Sequence, residues 1–367
     1  MRIALGVLIA GLLAAGATAW GQVEILDART TASLRGVDAV STRVAWASGT
    51  KGTVLLTVDG GVSWQHCAVP KGAEELDFRG VQGFDEKTAV VMASGTGELS
   101  KIYKTTDGCL TWVMTFANPD ADGFFDALRK TGAREMYLMG DPVRDKFAMF
   151  TSDDQGSTWF AADDPGRGSV KSGGGFAASN SAMTSVGPFL MFGTSATAGE
   201  AARVYVTRAK CAKLGVACTV EWRSTAVPMA GSVTTAGVFS LAGRMERGRE
   251  GVAKVTAVAV GGDYSRPKDR AGSAATTTDG GESWVPARTM PGGYRSGVVW
   301  EAGAKRWVAV GPTGMDVSAN DGRDWTPLNP GPGDAADAGK GWNAISMPFV
   351  VGAKGKVGRL RLEVIKR

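Results

Sequence analysis

Histidine is all but missing: the 367 residues contain only His66. Metal sites built from several imidazoles are thereby excluded, and a histidine-based nucleophilic triad would depend on that one side chain. Charge is sparse as well. Charged residues make up 21% of the chain, the formal net charge is +5, and no lysine/arginine run is dense enough to grip nucleic acid. Cysteine occurs four times, as Cys67, Cys109, Cys211 and Cys218, without a C-x-x-C spacing, so redox catalysis has no motif. Beyond the N-terminus no apolar run is long enough to span a bilayer, so no membrane insertion is expected of the mature chain. No long stretch with a helical period occurs either, which removes a two-domain α/β reading. No cofactor and no metal is called for by any motif.

What is present in excess is glycine, 52 residues, and tryptophan, 11. Hydrophobic residues at 44% allow a sizeable core and argue against global disorder. A glycine-rich, tryptophan-rich chain of this length implies many short strands joined by tight turns.

The first nineteen residues read as an export signal. Arg2 precedes an apolar run from Ile3 to Ala15, and Ala17-Thr18-Ala19 supplies the small residues of a cleavage site. Cleavage after Ala19 makes Trp20 the first mature residue and leaves residues 20–367 as a single domain, periplasmic or secreted. The alternative is an uncleaved N-terminal anchor, which Gly11 and Gly16 disfavour. Export turns the cysteines into disulfide candidates. Cys211 and Cys218 suit a local bridge, while Cys67 and Cys109 would join neighbouring repeats; free buried thiols are the other reading.

An internal repeat sets the architecture. Thr57-x-Asp59-x-Gly61-x-Ser63-Trp64 recurs at Ser152-x-Asp154-x-Gly156-x-Thr158-Trp159 and Thr277-x-Asp279-x-Gly281-x-Ser283-Trp284. A fourth copy, with Asp107 and Trp112, has Cys109 in place of the second glycine, and a fifth, with Asn320 and Trp325, is further degraded. This is the Asp-box, and its physics is structural: the carboxylate collects backbone N–H groups across a hairpin, the glycine takes positive φ, and the tryptophan packs on adjacent sheets. Seven short apolar runs ending in glycine form a second series, from Val44-Ala45-Trp46-Ala47-Ser48-Gly49 to Phe349-Val350-Val351-Gly352. Such runs are strands buried on both faces. Seven repeats of this size predict an all-β, seven-bladed β-propeller. Its last blade lacks an outer strand, which Val23-Glu24-Ile25-Leu26 could supply.

With these Asp-boxes and its export signal, the chain resembles the exported BNR/Asp-box (YVTN-like) propellers related to the photosystem II stability/assembly factor. Phe78-Arg79-Gly80-Val81, Gly140-Asp141-Pro142, Gly261-Gly262-Asp263-Tyr264 and Gly293-Tyr294-Arg295-Ser296 fit that group. The resemblance implies a non-enzymatic binder or assembly chaperone with an arginine-bearing propeller face.

Strand order in a meander separates the two faces. Entries to innermost strands share one face with the turns between second and third strands, whereas the Asp-boxes share the other. Arg35, Arg79, Asp126, Arg295 and Asn343 should therefore converge on the central channel, with Lys51, Asp141, Asp263, Tyr264, Asp316 and Lys354 on the same rim. Arginines at a funnel mouth would bind an acidic or carboxylate-bearing peptide, with a glycan as the other ligand class and a monomer as the expected state. Mutual pairing of these charges around water is the structural alternative. An enzymatic alternative is a sialidase-like or other Asp-box glycoside hydrolase, active or degenerate. Arg35, Arg79 and Arg295 would imitate the sialidase arginine triad, although the Phe/Tyr-Arg-Ile-Pro segment of that family is absent; in another glycosidase the carboxylate pair would be Asp126 with Asp141, or Asp141 with Asp263.

Overall fold

The computed structural model describes residues 22–162, 173–210, 219–247 and 253–361. The export segment, Trp20, Cys211 and Cys218 lie outside them. Among the described residues there are seven four-stranded antiparallel sheets, the blades of a propeller, and no α-helix. Blade 1 runs over residues 34–66, blade 2 over 78–117, blade 3 over 125–161, blade 4 over 183–226, blade 5 over 236–286 and blade 6 over 297–327. Blade 7 takes three strands from residues 342–360, and its outer strand is Val23–Leu26, paired antiparallel with Val357–Leu360.

The seven apolar runs are the second strands of the seven blades, from Ala45–Gly49 in blade 1 to Phe349–Gly352 in blade 7. They are apolar throughout because each is covered on both faces. In blade 1, Trp46 packs towards blade 2 with Val81 and Val91, while Ala45 and Ala47 pack towards blade 7 with Phe349 and Val351. The period of two along the strand thus sorts side chains between the two neighbouring blades.

Innermost strands leave one edge unpaired, and the ring satisfies it from blade to blade. The Ala39 N–H donates to Ser346 Oγ (3.0 Å), Gly83 to Asp38 Oδ2 (2.8 Å), Lys130 to Gln82 Oε1 (2.8 Å) and Val298 to Ser240 Oγ (2.9 Å). In each case the acceptor belongs to the preceding blade.

The Asp-boxes bolt the rim in the same sense. In the first, Asp59 accepts from the Ser63 N–H (3.0 Å) and the Ser63 hydroxyl (2.6 Å), and the Gly61 N–H donates to Thr57 Oγ1 (2.9 Å). Trp64 then lies edge-on to Phe349 of blade 7 at 5.8 Å, Trp284 joins Val206 of blade 4, and Trp325 joins Val258 of blade 5. In blade 2, Cys109 adopts the glycine conformation at φ 62° and is disulfide-bonded to Cys67 in blade 1. A covalent bond here joins the box to the blade before it.

The box carboxylates give the fold an acid limit. The Ser63 hydroxyl and N–H hold Asp59 down at about 2, and those of Thr111 do the same for Asp107. A carboxyl depressed on folding adds stability that is present above its ordinary value of 3.8 and is lost as pH falls through the folded value. The urea midpoint is therefore expected to hold down to about pH 4 and to fall between there and pH 2. Asp59→Asn/Asp107→Asn should be less stable at pH 7 and show a shallower acid decline.

Candidate functional site

Five innermost strands carry a β-bulge near their start. The register shifts between Leu34 and Gly36, Phe78 and Gly80, Phe125 and Ala127, Val238 and Ser240, and Trp342 and Ala344. The residues skipped are Arg35, Arg79, Asp126, Phe239 and Asn343. A bulge takes one residue out of the ladder and re-aims its side chain, which is how these five come to line the axial mouth. Four of them are expected from sequence. Phe239 is not, although it sits at the same register shift in its strand as Arg35 and Arg79 do in theirs.

The mouth is crossed by residues 173–181, which lead into blade 4. Ala177 C=O accepts from Arg79 Nη1 (3.5 Å), and Phe176 stacks on Phe239 with ring centroids 3.5 Å apart. The Ser179 hydroxyl donates to Ser296 C=O (2.6 Å), and Asn180 Oδ1 accepts from the Leu128 N–H (2.8 Å). The segment thus touches blades 2, 3, 5 and 6. No counterpart of it exists in the other repeats, so repeat reasoning missed Phe176, Ser179 and Asn180.

The charges divide into paired and unpaired groups. Arg295 is expected at the funnel but is 2% exposed, and its Nε donates to Asp316 Oδ2 at 2.7 Å. Its Nη1 donates to Tyr294 C=O (2.9 Å) and Thr313 Oγ1 (2.8 Å). Asp316, expected on the rim, is 1% exposed and is the counter-charge. Burying a guanidinium requires such a carboxylate, so both residues are structural and neither is presented to a ligand.

Asp263 is buried and is likewise turned inward. Burial opposes its charge, but hydrogen bonds from Ser265, Arg266 and Thr235 outweigh that and hold it at about 2. Arg79 is half-neutralised, with Nε 2.8 Å from Asp77 Oδ2. The Asp126 and Asp141 carboxyls adjoin each other beneath Gly174 and Gly175, so they do not flank an open cleft as two glycosidase carboxylates must. Burial and the neighbouring Asp141 charge push Asp126 well up, and burial also raises Asp141. With Arg295 committed to Asp316, the three arginines do not assemble a sialidase-like triad.

Arg35 differs from the others. Its Nε is buried without a hydrogen-bond partner, and its guanidinium makes no ion pair among the described residues. It faces Tyr294, whose phenol is pushed up by burial while the Arg35 charge works the other way. Tyr294 and Tyr264 both lie edge-on to Phe239, at 4.7 and 6.0 Å. Tyr264 is half exposed, and Asn343 is turned to Leu34 C=O at 2.8 Å.

Lys51 and Lys354 are exposed at the tips of second-to-third-strand turns, each at φ 57°. Both lie in blades 1 and 7, as Arg35 does in blade 1. Arg35, Lys51 and Lys354 thus fall in one sector, whose lining also includes Asp27 and Asp337. A groove of about 960 Å³ opens in that sector, lined by residues 25–31, 335, 337–338 and 353–356. Lys356 stiffens its wall, with its ammonium 4.4 Å over the Trp342 ring and bonded to Lys340 C=O (2.7 Å). His66 is exposed on the outer strand of blade 1, with Nε2 3.0 Å from Ala28 O.

A seven-bladed Asp-box propeller is the class these observations define. Among solved structures, YCF48 bound to a D1 peptide is similar at a TM-score of 0.56 and 15% identity, over 92% of this chain and 96% of that one. YCF48 from Cyanidioschyzon merolae is similar at 0.55 and 17% identity, over 93% and 99%. The shared fold agrees with the resemblance to the photosystem II assembly factor group drawn from the repeats. A GH74 xyloglucanase from Xanthomonas campestris superposes less well, at 0.45 and 11% identity over 83% of this chain and 55% of the enzyme. No family model and no curated protein matches the chain.

Proposed function

We propose that this chain is an exported propeller that binds a partner protein, taking a carboxylate-bearing peptide segment on the sector of blades 7 and 1. The observation that carries the reading is Arg35, a half-buried guanidinium with no ion pair among the described residues, in the blade that follows a groove of about 960 Å³. An unpaired guanidinium at the edge of a concave site is primed for a bidentate carboxylate. Lys51 and Lys354 add steering charge at the rim. That YCF48, of the same fold, has been captured with a D1 peptide supports peptide binding as a use of this architecture. The Cys67–Cys109 disulfide supports export, since such bonds persist in oxidising compartments, and residues 1–19 supply the signal. Periplasmic or secreted localisation is part of the proposal.

The test is fluorescence anisotropy of the mature chain with peptides bearing a free C-terminal carboxylate or internal Asp/Glu. Loss of a charge-assisted pair is worth roughly 1.5–3 kcal/mol, so Arg35→Ala should weaken binding about tenfold to a hundredfold. Arg35→Lys should recover part of it, and Asp263→Asn should leave it unchanged. Affinity indifferent to Arg35 would overturn the reading, as would sugar release from a glycan panel that Asp141→Asn abolishes.

A further inference from the structure

The carboxyl pair under residues 173–181 has no part in that reading, yet its setting is specific. Asp126 is 2% exposed, and its Oδ2 has no hydrogen-bond partner. The Asp141 carboxyl and the Gly175 backbone adjoin it. Asp141 Oδ1 in turn accepts from the Gly175 N–H at 3.0 Å, so the crossing segment is tied directly to the pair. The approach is closer than any side chain allows. A Cβ on Gly174 would fall 1.7 Å from Asp141 Oδ1, and one on Gly175 would fall 2.9 Å from Asp126 Cγ. Gly174 and Gly175 are therefore explained by the two carboxyls they lie on, while a Cβ on Gly173 would fall 1.9 Å from Ser195 Oγ.

Two adjoining carboxyls, one of them buried and the other half-buried, favour a proton between them, because two bare charges side by side repel. We infer that Asp126 and Asp141 form a proton-held clasp, which seats residues 173–181 over the axial mouth when protonated and releases them as pH rises. Release uncovers Arg79 and the aromatic cradle of Phe239 and Tyr294, where Phe176 now sits. The clasp thus regulates access to the axial side of the face assigned above. It rests on that assignment for its consequence alone, because the contact is intramolecular.

The charges around the pair are few. Arg79, on the neighbouring innermost strand, favours ionisation of Asp126 but shares its charge with Asp77. The crossing segment contributes no titratable side chain between residues 173 and 181. Closure raises both carboxyls, by burial first and, for Asp126, by the Asp141 charge as well. A group raised in the closed state favours closure fully below its ordinary value of 3.8, and the benefit is lost as pH climbs through the closed-state value.

Hydrogen exchange of peptides covering residues 173–181, in the full chain without ligand and corrected for intrinsic rates, measures the clasp between pH 4 and pH 8. Each unit by which closure raises the shared proton's affinity is about a tenfold change in protection. Protection should fall at least that far across the range, while the buried strand Ala89–Ala93 stays constant. Asp126→Asn and Asp141→Asn each keep a donor between the two groups and leave a single charge, so both should flatten the curve in the protected state. Gly174→Ala should lower protection at every pH. A flat wild-type curve, or the same slope in both asparagine variants, overturns the inference. Should either variant also lose protection in Ala89–Ala93, the wild-type curve and the other variant decide. A slope found alongside no dependence of peptide binding on Arg35 retains the clasp and discards the binding face.

Discussion

Asp316→Asn is expected to cost the propeller about 3–5 kcal/mol, the usual penalty for leaving one member of a buried ion pair uncompensated. The setting is severe. Arg295 and Asp316 have side chains only 2% and 1% exposed, and no water-facing position is open to the orphaned guanidinium. Asp316 also accepts from the Gly292 N–H (3.2 Å), a bond that the single asparagine oxygen would have to share with Arg295. Urea unfolding followed by tryptophan fluorescence measures the loss. The complementary variant, Arg295→Met/Asp316→Leu, removes both charges and keeps most of the volume, so it should be far milder than either single change. If the single and double variants are equally destabilised, packing and not charge holds this corner. Arg295→Ala, in the same assay, should behave as a folding defect, in contrast to Arg35→Ala, which should unfold like the wild type.

Reduction of Cys67–Cys109 is the second large effect. The bond closes a loop with a sequence separation of 42. Chain entropy alone then predicts about 4 kcal/mol of stabilisation against the reduced chain. Urea midpoints with and without dithiothreitol, and of Cys67→Ser/Cys109→Ser, should differ by that order. The Asp-box supplies a sharper check. Cys109 occupies the place of the second glycine at φ 62°, where a Cβ costs roughly 1 kcal/mol. Cys67→Ser/Cys109→Gly should therefore regain about that much relative to the double serine variant. Equal stability of reduced and oxidised protein would mean that the neighbouring blades are held by packing alone.

The residues of the proposed binding face were partly legible in advance, and the reason is local. Arg35 and Arg79 stand in the same short pattern, Leu/Phe-Arg-Gly-Val, at the start of innermost strands, and the bulge acts alike in the five blades that carry it. Phe239 sits at such a bulge without the pattern, so only the pairing register reveals it. Whether an arginine at the axis is free could not be read from its neighbours in the chain. Arg295 meets Asp316 across 21 residues, and Arg79 meets Ala177 across 98. Gly174 and Gly175 looked like loop composition until the carboxyls beneath them were placed.

The amino-acid sequence by itself determined the number of blades, the identity of every second strand, and the positions of the Asp-boxes. Those features rest on short-range periodicity and turn chemistry, which act within a few residues and repeat seven times around the ring. Only the tertiary structure decided which charges cancel. Pairing depends on which side chains the ring brings within hydrogen-bond distance and out of water, and no spacing along the chain encodes that. The closed ring leaves Arg35 unpaired, consumes Arg295, and lays residues 173–181 over two carboxyls that share a proton.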